Sequence, residues 1–258
     1  MKTKITLAIA MLLFSCQLFA QDQYKKELYI VDGDTLPYRI LFPENFSETE
    51  KYPLMVFLHG AGERGKDNQK QLQHGSKFFL DSIQKYPAVV IFPQCPTESF
   101  WANADVDSST RPYTLNFPGD RGPTKPLELT MSLLDVMVQK NYIDNTKVYL
   151  GGLSMGGMGT FELLSRKPNF FAAAFAICGG GNAENAKNYA KTTPIWIFHG
   201  SKDNIVNPQW SIDIVSSLLK NGGLPKFTLY SQADHNSWDN AFAEATLLKW
   251  LFSHTKDN

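Results

Sequence analysis

Cysteine is scarce in this sequence: of the three residues, Cys16 falls inside the first twenty positions. A disulfide framework is thereby excluded. Cys95 and Cys178 read as two separate buried thiols, with one bridge between them as the alternative. Long apolar runs are also missing. None reaches the ~20 residues that a membrane-crossing helix needs, so no membrane span is expected. Neither sign of charge dominates: 25 Lys and Arg face 25 Asp and Glu, and setting residues 1–20 aside removes Lys2 and Lys4, leaving 23 against 25 and a net charge of −2. That balance offers nucleic acid and anionic surfaces nothing to bind. The sequence has no His-Glu-x-x-His, no paired Cys-x-x-Cys and no glycine-rich nucleotide fingerprint, so neither a metal nor another cofactor is expected. Internal repeats and low-complexity tracts are missing too.

What remains is ordinary globular material, 43% hydrophobic and 19% charged, enough for one sizeable core. The chain opens with Lys2 and Lys4, an apolar run over residues 5–14, and Leu18-Phe19-Ala20 before polar Gln21-Asp22-Gln23. That is the layout of a signal peptide over residues 1–20, which predicts an exported protein, periplasmic or secreted, with one α/β domain over residues 21–258. Leu13-Phe14-Ser15-Cys16 also resembles a loose lipoprotein box, in which Cys16 would carry a lipid anchor. The apolar stretch continues to Ala20, which favours the soluble form.

Short apolar, β-branched or aromatic runs at residues 54–58, 89–92, 148–150, 172–177, 195–198 and 227–230 each end in glycine or a polar loop and read as buried strands. Residues 28–31 and 36–41 flank Asp32-Gly33-Asp34, a hairpin signal. Helix-like stretches cover 127–140, 158–165, 211–220 and 240–252, with Leu129, Leu133, Val136 and Met137 on one face of the first. Strands alternating with helices after an antiparallel hairpin predict an α/β fold, a mainly parallel sheet covered on both faces. Residues 96–126 differ, being rich in Pro, Gly, Asp, Ser and Thr, with Phe100, Trp101, Tyr113 and Phe117 scattered among them. Such a long loop either closes over a site or is pinned to the body by its aromatics.

The run Lys147 to Gly159 reads as strand, glycine-flanked turn and helix start, with Ser154 in Gly-Leu-Ser-Met-Gly-Gly. This is a nucleophile elbow. A serine hydroxyl needs a base to take its proton and a carboxylate to orient that base. The strand at 195–198 runs into His199-Gly200-Ser201-Lys202-Asp203, and the strand at 227–230 is followed by Asp234 and His235. Asp203 is the acid candidate by chain order and His235 the base. Asp234 is the rival acid, but it adjoins the histidine, and neighbouring side chains seldom face each other. His59 and His199 each precede a glycine at a strand end and read as loop buttresses, His74 lies on a polar helix and His254 in a polar tail.

An oxyanion hole needs two N–H groups. Met155 follows the serine, and the turn His59-Gly60-Ala61-Gly62-Glu63-Arg64-Gly65 offers Ala61, with Gly62 second. Glu63 and Arg64 read as an ion pair or loop braces, with Arg64 also a candidate substrate contact. Trp101 and Trp238 are candidate flat walls of the pocket, with filling of the core under its rim as the alternative. Asp67-Asn68 has no role that the sequence indicates.

Taken together, Leu58 to Gly65, Pro93-Gln94-Cys95-Pro96 followed by Trp101, Gly152 to Gly157, His199 to Asp203, and His235 with Trp238 resemble the secreted esterases of the predicted-peptidase group, neighbours of polyhydroxyalkanoate depolymerases, feruloyl esterases and acetyl xylan esterases. The resemblance implies an α/β-hydrolase with a serine, aspartate and histidine triad, onto which Ser154, Asp203 and His235 fall. It further implies carboxylic esters as substrates, small-molecule or of plant cell-wall carbohydrate. Residues 106–126 are longer than a minimal member of the group requires. The alternatives are a serine peptidase and a non-catalytic binding protein on a hydrolase scaffold.

Overall fold

The computed structural model describes residues 23–256. The leader expected over residues 1–20 and the candidate anchor Cys16 lie outside them. Strand β1 (Lys25–Val31) turns at Asp32-Gly33 into β2 (Asp34–Leu41). Both turn residues have positive φ, 51° and 85°, the two-residue geometry that matches the twist of a hairpin. Then follow β3 (Tyr52–Leu58), α1 (Ser76–Ser82) and β4 (Val89–Pro93). A small two-stranded ribbon, β5 (Asp105–Asp107) and β6 (Thr114–Asn116), precedes α2 (Lys125–Met137). The chain continues through β7 (Ile143–Leu153), α3 (Met155–Arg166), β8 (Ala173–Ile177), β9 (Ile195–Gly200), α4 (Gln209–Lys220) and β10 (Lys226–Tyr230). It ends with α5 (Trp238–Phe242) and α6 (Leu247–Leu251).

Eight strands form one sheet in the order β1-β2-β4-β3-β7-β8-β9-β10. β2 runs antiparallel to both β1 and β4, and every other pairing is parallel. After β3 the chain goes outward to β4 and later returns to the opposite side of β3 as β7. The crevice at the carboxyl ends of β3 and β7 is therefore a topological switch point, where ligands bind in open α/β sheets.

Alternation along β3 divides the core. Leu54, Val56 and Leu58 enter the layer under α2, α3 and α4, while Met55 and Phe57 enter the layer under α1, α5 and α6. Successive strand residues point to opposite faces, so one run supplies both layers.

Three expectations change. Val136 is exposed, because the buried face of α2 runs through Leu127, Thr130, Leu134 and Met137. The single helix expected over 240–252 is two short ones, since Glu244 accepts hydrogen bonds from the Thr246 hydroxyl and backbone N–H and closes a turn between them. The long loop at 96–126 folds back as the β5–β6 ribbon, and its Leu115 and Phe117 pack with Ala102, Met158 and Val206 in a third, separate cluster.

Candidate active site

The elbow is built by close approach. A Cβ on Gly156 would lie 1.9 Å from the Leu58 carbonyl oxygen, and one on Gly152 would lie 2.2 Å from that of Gly156. Only glycine lets α3 start this near the ends of β3 and β7. Ser154 between them adopts φ 52°, ψ −117°, a region sparsely populated by residues with side chains. Its own N–H donates to the Ile177 carbonyl at 2.8 Å, tying the strained residue to β8.

The Ser154 Oγ lies 2.9 Å from His235 Nε2. His235 Nδ1 lies 2.8 Å from Asp203 Oδ2. Asp203 comes from the turn after β9 and His235 from the loop after β10, neighbouring parallel strands whose carboxyl ends open on one side. Asp234 instead accepts the Asn236 N–H at 3.3 Å.

The Asp203 carboxylate is deeply held. Its Oδ1 accepts the backbone N–H groups of Ile205 and Val206, both at 2.9 Å. Its Oδ2 also accepts from His199 Nε2 at 3.1 Å. Burial alone pushes this carboxyl up, but the bonds from His199 and His235, the His235 charge and the Ile205 N–H outweigh it, and the group titrates well below the usual carboxylate range. His199 Nε2 faces a second acceptor, the Val206 carbonyl at 3.0 Å. That nitrogen therefore carries a proton, and Nδ1 lies 2.7 Å from the Ser211 hydroxyl.

His59 is a buttress. Its Nδ1 bonds the Gly60 carbonyl at 2.7 Å and its Nε2 accepts the Cys95 N–H at 3.0 Å. Burial pushes its pKa down to about 4, against the pull of the Gly60 carbonyl. Cys95 and Cys178 are free and buried, and burial pushes the Cys95 thiol up to about 12.

A cavity of about 330 Å³ opens over Ser154 and is lined by Ala61 and Met155. Met155 is the first residue of α3, where backbone N–H groups have no acceptor within the helix. Gly62 does not line the cavity. Phe100, Tyr113, Leu115 and Ile205 also line the cavity. The flat wall expected from Trp101 and Trp238 is corrected accordingly. Trp101 is wholly buried, with its indole N–H on the His59 carbonyl at 3.0 Å, so it holds the turn from beneath. Trp238 stands edge-on to the His235 ring at 5.6 Å, outside the cavity wall.

Arg64 lines the cavity and braces its rim, donating to the carbonyls of Ala61, Thr97 and Ser99 and lying over the Phe100 ring. It forms no ion pair with Glu63, which is buried and faces His74 at 3.8 Å. His74 sits in the bend before α1 rather than on a helix. Asp67 gains a structural role, accepting the Gln69 and Lys70 N–H groups and the Gln94 amide. Ile205 and Val206 carried no sequence signal for the site and reach Asp203 because the chain after β9 folds back on itself. His199, expected as a loop buttress, sits within β9 and bonds the acid directly.

Residues 45–248 match the phospholipase/carboxylesterase family. The chain belongs to that family. It is a carboxylesterase-type α/β-hydrolase, and its sheet, antiparallel only at the amino-terminal strands, has that fold. A bifunctional acetylxylan esterase/xylanase of Neocallimastix patriciarum is 29% identical over 231 residues, covering 89% of this chain and 29% of that one. Acyl-protein thioesterase 1 homolog 2 of Dictyostelium discoideum is 26% identical over 199 residues, 71% of this chain and 85% of its own. The solved structure of a thermostable esterase superposes with a TM-score of 0.81 at 30% identity, covering 92% of this chain and 64% of that one. The chain thus spans less than a third of the first relative.

Proposed function

We propose that this family member is an exported serine esterase acting on carboxylic esters of plant cell-wall carbohydrate, feruloyl or acetyl. The observation that carries the chemistry is the hydrogen-bonded line from Ser154 through His235 to Asp203. Ser154 Oγ attacks the ester carbonyl carbon while His235 Nε2 takes its proton. Asp203 steadies the imidazolium, and the N–H groups of Met155 and Ala61 hold the oxyanion. The tetrahedral adduct collapses, and His235 returns the proton to the departing alcohol. Water then attacks the acyl-serine, again losing its proton to His235, and the acid leaves as Ser154 regains its hydrogen.

The cavity bears on the acyl class. Phe100, Tyr113, Leu115 and Ile205 line it, a lining that suits a flat aromatic acyl group better than acetyl. The acetylxylan esterase/xylanase relative supports a carbohydrate ester. Export rests on the layout of residues 1–20.

Ser154→Ala is expected to lower kcat on p-nitrophenyl acetate about 10⁴-fold or more and to abolish fluorophosphonate labelling. Full activity in that variant would refute the scheme. A panel of methyl ferulate, acetylated xylan and a peptide amide should rank methyl ferulate first and the amide last. The mature chain should begin at Gln21 by mass spectrometry, and a diacylated Cys16 would replace the soluble form with an anchored one.

A further inference from the structure

A second cavity, of about 470 Å³, shares Met158 with the cavity over Ser154 and runs along α3, bounded by the segments that enter and leave the β5–β6 ribbon at Asn103 and Phe117. Its polar lining is dominated by carboxamides: Asn103, Asn182, Asn185 and Asn188. Each carboxamide pairs a donor with an acceptor, the same combination that a sugar hydroxyl offers. The charges in the wall, Glu162 and Arg166, neutralise each other at 2.8 Å. An anionic ligand therefore finds no free cation there, and an acyl chain finds too many polar groups. Phe117 and Pro118 add apolar faces of the kind that cover the C–H side of a pyranose.

Bonding capacity is left over. Among the described residues no hydrogen bond is formed by the half-buried Asn185 side chain. Asn188 uses its amino group on Ser165, which leaves its carbonyl open. Placement matters as much as composition. With a rise of 1.5 Å per residue along α3, Glu162 stands about 12 Å from Ser154, a separation of a few sugar units.

We propose that this cavity is a glycan subsite, binding the neutral polyhydroxylated chain of the substrate whose ester is held at Ser154. The proposal rests on the esterase reading of that serine and adds to it the part of the substrate that does not react.

The test uses the full chain and an unesterified xylo-oligosaccharide as probe, titrated calorimetrically into wild type, Ser154→Ala and the double variant Asn185→Ala/Asn188→Ala. Binding is expected in the first two and should be weakened about five- to tenfold in the third, the loss of one or two hydrogen bonds. On a feruloylated oligosaccharide the double variant should raise KM by a similar factor with kcat unchanged, while its kcat/KM on p-nitrophenyl acetate stays at the wild-type value. If the double variant folds poorly, Asn185→Ala alone, at an unbonded side chain, carries the same comparison at about half the effect on a logarithmic scale. Failure of the oligosaccharide to bind a wild type that hydrolyses p-nitrophenyl acetate overturns the subsite and leaves the esterase standing. Equal losses on both esters overturn it as well, since the variant then acts on the reacting centre. Undiminished hydrolysis by Ser154→Ala overturns the esterase reading instead, and the calorimetric comparison is unaffected by that result.

Discussion

At the scale of single residues, the two aspartates near His235 differ in what surrounds them. Asp203 accepts two backbone N–H groups and two imidazoles, whereas Asp234 is exposed and caps a turn. Asp203→Asn is therefore expected to cut kcat by about 10³-fold or more, because the amide no longer stabilises the imidazolium or its tautomer. Asp234→Asn should stay within about twofold, as surface changes usually do. The steady-state rates of the two variants on one p-nitrophenyl ester decide this, and equal losses would reject the assignment. His59 gives a pH signature. Its imidazole titrates at about 4 when folded, against 6.5 when free, so between those values the unfolded chain binds the extra proton and acidification costs stability. The loss is about 3 kcal/mol and is complete by about pH 4. The lowered Asp203 carboxyl acts at more acid pH, its contribution being intact above the unfolded carboxylate value near 3.9 and lost only as the pH drops below it. Thermal unfolding followed from pH 7 to 4 should show the first slope in wild type and a flatter one in His59→Gln. A variant curve as steep as the wild type would remove His59 as the cause.

At the scale of elements, the strand, turn and helix around Ser154 were legible because each obeys a local rule. The apolar run Val148 to Leu150 lies within β7, glycines sit where no Cβ fits, and the helix starts directly after. Gly156→Ala forces a Cβ against the Leu58 carbonyl and is expected to destabilise the fold by about 3 kcal/mol or more, roughly a 10 °C fall in Tm for a chain of this size. Gly122→Ala, with open space around it, should shift Tm by no more than about 2 °C. Differential scanning calorimetry of the pair tests the packing argument, and similar shifts would contradict it. The carboxy-terminal helices are less legible. Residues 240–252 keep helical spacing throughout, and the break after α5 comes from a side-chain bond of Glu244 to Thr246 that periodicity does not register.

At the scale of the whole molecule, the β5–β6 excursion shapes the pocket without belonging to either main core layer, since its apolar residues pack in a cluster of their own. Replacing residues 104–116 by a short Gly/Ser linker should leave a folded chain whose KM for methyl ferulate rises about tenfold, the value of one or two lost apolar contacts. Its kcat on p-nitrophenyl acetate should change little. Circular dichroism with parallel kinetics checks both halves, and loss of the fold would show that the excursion is part of the core. The order of serine, acid and histidine, the parallel sheet and the glycine elbow followed from the sequence alone, because they depend on residues within one strand, turn or helix and on the sequence of those elements along the chain. The walls of the pocket followed only in part, Phe100 and Tyr113 coming from the loop expected either to close over a site or to be pinned to the body. Trp101, expected at the wall, is buried beneath the turn, while Phe100, Tyr113, Leu115 and Ile205 reach the cavity. Which face of an irregular segment turns inward depends on contacts between residues far apart in the chain, and only the tertiary structure brings those contacts together.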